Sequence, residues 1–245
     1  MSAIMRVQHV ESVSSRNGND LAARVFLQPI APPSILGLYG FAGATFVIAS
    51  HMAGWYGTAT SNAYLWPFAA IFGGVAQFLA GMWGYRARDA VATAMHGMWG
   101  SFWIAFGILN LLFSTHVLVE PTPKFPELGF WFIALGAITA MGAIAVIFEG
   151  NFGLCAVLTA LAAGSGCAAA GFVSGSGHWT EIAGYVFVVS AALAFYVASA
   201  MMLASAAGRV LLPLGKRAPD ANVPPEQLPN PIELAWAEPG VKHGQ

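Results

Sequence analysis

One stretch of the chain spaces polar and aromatic side chains at three- and four-residue intervals: His96, Trp99, Trp103, Phe106 and Asn110. On a helix of about 3.6 residues per turn these fall on a single face. An imidazole and a carboxamide set among indole and phenyl rings can wall a passage for a small solute, or they can lock one helix against another. The residue types allow both. The histidine has one further capacity, because its unperturbed pKa of about 6.5 lets it exchange a proton near neutrality.

Other polar groups lie inside apolar segments: Thr45, Gln77, Ser101, Thr159 and Ser165. No Asp, Glu, Lys or Arg falls near the middle of any such segment, while Asp89, Glu149 and Glu181 sit at segment ends as interfacial charge. Ionisable groups at mid-membrane depth are costly and mark ion and proton pathways, so a pump built on buried carboxylates is excluded. His51 and His96 could share a haem iron only at one depth. They fall near opposite ends of their segments, and no metal or cofactor is expected. Cys155 and Cys167 are twelve residues apart on one helix, roughly 18 Å, too far for a disulfide. A second face, Gly74, Gln77, Gly81 and Gly84 with Gly73 and Ala80 beside it, lets backbones approach closely. Gln77 within it either bonds a neighbouring helix or donates to a passing solute.

The elements that must position these groups follow from composition. The chain has 245 residues, of which 57% are hydrophobic and only 9% charged, against about 25% charged in soluble domains. Apolar runs lie near 35–55, 64–85, 91–115, 128–148, 152–174 and 180–206. Each is about the 20 residues that cross a bilayer as a helix, and far too long for a barrel strand. The fold class is therefore all-α: a polytopic membrane protein with six transmembrane helices, the fourth and fifth joined tightly enough to form an antiparallel hairpin. Nine of the ten Lys and Arg residues fall on one side, Lys124 alone on the other. Positively charged short loops stay cytoplasmic, which predicts both termini inside and residence in the inner (plasma) membrane. Residues 1–31 form a cytoplasmic N-terminal segment without a signal-peptide pattern, 32–215 the transmembrane domain, and 216–245 a Pro-rich cytoplasmic tail. With near-zero net charge and no basic patch, nucleic acid is not a partner.

Several segments together resemble the acetate uptake transporter family, the YaaH-type acetate and succinate permeases. They are LGLYGF (36–41) with His51, FGGVAQFLAG (72–81), GSFW (100–103) and GRVLLPLG (208–215). FGG-x-AQ-x-x-AG followed nineteen residues later by GSFW is the specific part. The family's entrance signature Asn-Pro-Ala-Pro-Leu-Gly-Leu is kept here as Pro33, Leu36, Gly37 and Leu38.

The resemblance implies a permease or channel for small monocarboxylates such as acetate, with succinate and proton coupling as extensions, and no enzymatic activity. It implies a homohexamer in the bilayer, each subunit with its own path. It also implies a constriction of Phe41, Leu161 and, where the family has Tyr, Trp99. Leu36, Gly37, Leu38, Thr45, Gln77 and His96 are then candidates for lining the path or coupling it to protons. Trp99 exchanges a hydroxyl for an indole N–H that only donates, a donor on which a carboxylate could draw. Gly84 replaces a Glu that the family carries at the end of the second helix. The competing expectation is a membrane-embedded redox or scaffold subunit that moves no solute.

Overall fold

The structure is a computed structural model that describes residues 30–58 and 60–217. The expectations for segment 1–31 and tail 216–245 lie outside the described residues, apart from Ile30, Ala31, Lys216 and Arg217. Among the described residues six helices are long and apolar enough to cross a membrane: α1 (Pro33–Met52), α2 (Ser61–Ala87), α3 (Ala90–Ser114), α4 (Pro126–Phe148), α5 (Phe152–Ser174) and α6 (Gly177–Ala207). They are the six runs anticipated from sequence, each within three residues of its expected ends.

Local chemistry sets the boundaries. Pro33 and Pro126 open α1 and α4, where a missing N–H costs nothing. Asp89 caps α3 by accepting from Ala92 N at 2.7 Å, and Asn151 caps α5 by accepting from Leu154 N at 3.2 Å. The α4–α5 turn is only Glu149–Gly150–Asn151, and Gly150 takes a φ of +66° that a side chain would resist. The hairpin expected there is formed, α4 and α5 making one of the closest helix pairs in the bundle.

A feature that composition alone did not show lies inside α2. Pro67 removes a backbone donor within the helix, and residues Ala69–Ala76 then run as a π-helix before α-geometry resumes at Gln77. Gly73 of that wider segment lies against Ala44 and Trp103, and Gly74 lies against Ile104.

Within lipid, helices gain little from hydrophobicity and associate through close packing and hydrogen bonds. The glycine face of α2 does this. A Cβ at Gly81 would stand 2.6 Å from Gly97 N, and one at Gly84 would stand 2.6 Å from Thr93 Oγ1. From α3, a Cβ at Gly100 would stand 2.5 Å from Phe78 N. Gly184 likewise brings α6 onto α1 beside Ala49 and Ala53. Hydrogen bonds tie α1 to α6 (Tyr39 Oη with Ser199 Oγ, 2.9 Å) and α6 to α5 (Ser190 Oγ donating to Val157 O, 3.0 Å). The outer surface carries Phe68, Ile71, Phe72, Trp83, Phe130 and Phe195 exposed, as a lipid-facing surface requires. The chain is a multi-pass membrane protein.

After α6 the residues Gly208–Arg217 double back as a strap against the α4–α5 turn. Phe152 N donates to Gly215 O and Gly153 N to Leu214 O, both at 3.2 Å, and Arg217 N donates to Gly150 O at 3.1 Å. The Arg217 guanidinium rests 4.8 Å from the centre of the Phe152 ring. Two first-turn N–H groups of α5 that its own helix cannot satisfy thereby find carbonyl partners.

Candidate functional site

α1, α3, α4, α5 and α6 surround a cavity of about 500 Å³ that opens between the α1–α2, α3–α4 and α5–α6 loops. Its rim holds Asn62, Glu120, Thr122 and Ser176, and its wall is aromatic: Trp103, Phe106, Phe113, Phe125, Phe172 and Phe187 among others. Helices α2, α4 and α6 all begin at this end, and Asn62, Phe125 and Gly177 from their first turns or caps lie on the vestibule. Helix N-termini carry partial positive charge, which favours an anion at this mouth.

The floor of the vestibule is Trp99 and Leu161. Behind it Phe41 stands edge-on to Trp99, ring centroids 6.3 Å apart and planes at 69°. Phe41, Trp99 and Leu161 are all buried, at 2%, 2% and 3% exposure, in one apolar cluster. Of the three residues of the expected constriction, Trp99 and Leu161 line the cavity and Phe41 packs on Trp99 outside its lining.

Trp99 is not free to turn. Its Nε1–H donates to Thr139 Oγ1 on α4 at 2.9 Å, and that hydroxyl donates onward to Leu135 O at 2.7 Å. The indole hydrogen is therefore committed within the protein. This corrects the expectation that a passing carboxylate could draw on it as a donor.

One turn on the vestibule side of this neck, Thr45 and Trp103 line the cavity. Thr45 Oγ1 and Trp103 Nε1 are buried without a hydrogen-bond partner among the described residues. One turn on the opposite side, His96 lies against α1. The ideal Cβ position of Gly37 is 2.5 Å from its Nδ1 and Cε1, so the imidazole occupies the room that the glycine leaves. His96 Nδ1 and Gln77 Oε1 are also buried without a partner.

Of the α3 face, Trp99, Trp103, Phe106 and Asn110 line the vestibule, whereas His96 lies beyond the neck. Leu38 is buried, while Leu36 is half exposed on the bundle surface, away from the cavity. His51 is at the vestibule rim, its Nδ1 3.0 Å from Tyr56 O. The 14 residue steps of α1 from Gly37 to His51 put the two histidines roughly 20 Å apart along the bundle, so they do not converge on a shared iron. Thr139 was not among the candidate residues. A threonine in a membrane helix ordinarily bonds its own i−4 carbonyl, as Thr139 does, and nothing in its spacing signals that its oxygen also accepts from another helix.

A profile of the GPR1/FUN34/yaaH family matches residues 17–214. The chain belongs to the GPR1/FUN34/yaaH family. Relatives across this family include the succinate-acetate/proton symporter SatP of Escherichia coli strain K12, 25% identical over 194 residues covering 76% of this chain and 96% of SatP. An uncharacterised protein of Methanothermobacter thermautotrophicus is 29% identical over 192 residues, 75% of this chain and 90% of that one. The solved structure of the bacterial acetate channel SatP superposes with a TM-score of 0.69 at 24% identity, over 76% of this chain and 99% of that one. At that identity the superposition speaks for the family's six-helix fold.

Proposed function

We propose that this chain is a permease for small monocarboxylates of the acetate type, and that Phe41, Trp99 and Leu161 form its selectivity neck. The observation that supports the reading is an aromatic vestibule lined at its buried end by Trp99 and Leu161, with Phe41 packed edge-on against Trp99 behind them. A narrow apolar neck disfavours hydrated inorganic ions, which must shed water to enter, and is less hostile to an organic acid with an apolar methyl group. Flux also requires that the anion not be trapped. Neutral donors and helix N-termini meet that need where a buried Lys or Arg would not. Membership in a family that includes SatP supports the same substrate class.

His96, one turn beyond the neck with Nδ1 unpaired, is the group that exchanges protons with the path. Gly37, Leu38 and Gln77 pack the helices around that half, and Thr45 faces the vestibule half. By the distribution of Lys and Arg, the protein sits in the inner membrane with both termini cytoplasmic and the vestibule facing outward. Its assembly is a homohexamer with one path per subunit.

The test is uptake of radiolabelled acetate by purified protein in proteoliposomes, with and without an inward proton gradient. Protein-dependent uptake that the gradient stimulates is expected, and His96→Ala should flatten its pH dependence. Uptake no faster than in protein-free vesicles rejects the permease reading, and an unchanged pH profile in His96→Ala removes the histidine from coupling.

A further inference from the structure

The vestibule wall carries almost no charge. Of the residues that line it, only His51, in the last turn of α1, and Glu120, in the α3–α4 loop, are ionisable. The rest are apolar, aromatic or neutral and polar. Low-dielectric walls focus the field of the few charges they hold, so a single unit of charge at the mouth weighs heavily on which ions enter.

The loop after α1 fixes how His51 can carry that unit. Its Nδ1 lies 3.0 Å from Tyr56 O. A carbonyl only accepts, so Nδ1 holds a hydrogen whether the ring is neutral or charged. The proton that comes and goes is therefore the one on Nε2, which bonds no described residue. Gly57 takes a φ of +97°, and a Cβ there would stand 2.6 Å from Nδ1, so a glycine lets the loop close on the ring. The Tyr56 ring stands 5.9 Å from the imidazole and its hydroxyl donates to Val47 O at 2.7 Å, which anchors the loop to α1.

Between roughly pH 5 and 8 glutamate side chains in water keep their charge, and histidine is the side chain that changes its own. With His51 neutral the lining holds the Glu120 carboxylate alone, and with His51 protonated the two cancel. Other ionisable groups belong to this end of the bundle: Tyr56 and Tyr64 beside α1 and α2, His116, Lys124 and Glu127 around the α3–α4 loop, and His178 and Glu181 in the first turns of α6. None of them lines the cavity.

We infer that His51 is the residue that admits a carboxylate to the vestibule. Protonated, it offsets Glu120 and leaves the N-termini of α4 and α6 to draw the anion in. Neutral, it leaves Glu120 to turn the anion back. His51 thus acts before the neck, and His96 beyond it. The charge switch rests on the cavity alone, while its use in uptake rests on the permease reading.

The local potential can be read without any transport. In a Cys155→Ser, Cys167→Ser background, Asn62→Cys places one thiol on the vestibule. The purified full chain is treated with the anionic sulfonatoethyl and the cationic trimethylammonioethyl methanethiosulfonate at about pH 5.5 and about pH 8, at low ionic strength where screening is weak. The ratio of the two rates cancels the ionisation of the thiol. The anion-to-cation ratio should be severalfold higher at the lower pH, and His51→Gln should abolish that change. Glu120→Gln should lift the ratio at the higher pH to its acid value. A wild-type ratio that does not move with pH, or one that moves equally in His51→Gln, overturns the switch. In proteoliposomes the KM for acetate should rise severalfold more steeply with pH in wild type than in His51→Gln, and equal slopes overturn its use in uptake. If the ratio switches but no acetate flux exists, the permease reading fails and the switch stands.

Discussion

Replacing Thr139 by Val tests whether the neck is held from α4. The two side chains have nearly the same volume, so packing is kept while the acceptor of the Trp99 indole N–H disappears. Thr139 is 0% exposed and Trp99 is 2% exposed, and their bond is 2.9 Å long. No water can replace the lost partner. An orphaned buried donor costs about 1–3 kcal/mol, more than the ~1 kcal/mol net worth of an ordinary hydrogen bond. For a domain of this size each kcal/mol moves the thermal midpoint by about 2–4 °C, so the variant should unfold roughly 2–12 °C lower in detergent. The Leu135 carbonyl stays bonded within its helix, and the penalty falls on the indole. A double-mutant cycle with Trp99→Phe isolates it: in the Phe background, which has no N–H, Thr139→Val should cost little. The coupling between the two positions should be about 1–3 kcal/mol. Release of the indole should also loosen the neck, raising uptake of butyrate relative to acetate. A thermal midpoint within error of wild type, together with zero coupling, would refute the claim that Thr139 fixes Trp99.

Other substitutions probe the supports around the neck. Gly81→Ala places a methyl group 2.6 Å from the Gly97 nitrogen, where backbone rather than a flexible side chain must yield. It should destabilise the protein by about 1–3 kcal/mol, read as a lower thermal midpoint. Gly37→Ala drives a methyl into the His96 ring, and acetate uptake should fall with an altered pH profile while the fold, read by circular dichroism, persists. At the strap, burial and the nearby Asp89 push the Glu149 carboxyl above its ordinary 4.5, with Lys216 opposing. A carboxyl raised on folding adds stability that is fully present below 4.5 and is lost as pH rises through the raised value. Wild-type thermal stability should therefore decline just above pH 4.5, and Glu149→Gln should remove that decline.

The helices and their limits were legible because twenty-residue apolar runs without charge leave the backbone one way to satisfy itself in lipid. The glycine face of α2 was legible for a related reason, since residues without side chains at helical spacing have few uses other than close approach. The choice of Phe41, Trp99 and Leu161 as a constriction came from family resemblance, because three apolar residues on three helices carry no spacing signal of their own. The α3 face could be read as wall or as packing stripe, and the structure divides it: four members on the vestibule, His96 beyond the neck. What stayed hidden depends on contacts between distant segments. Thr139 and the strap Gly208–Arg217 act across 40 or more residues of sequence.

The central claim is that a small carboxylate passes the neck of Phe41, Trp99 and Leu161. Its most direct test is the ratio of acetate to butyrate uptake in proteoliposomes, measured for wild type and for Trp99→Ala at matched protein density. Widening the neck should leave acetate uptake protein-dependent and admit butyrate, so that the ratio falls severalfold. A ratio unchanged by the loss of the indole would place the path elsewhere and contradict the account.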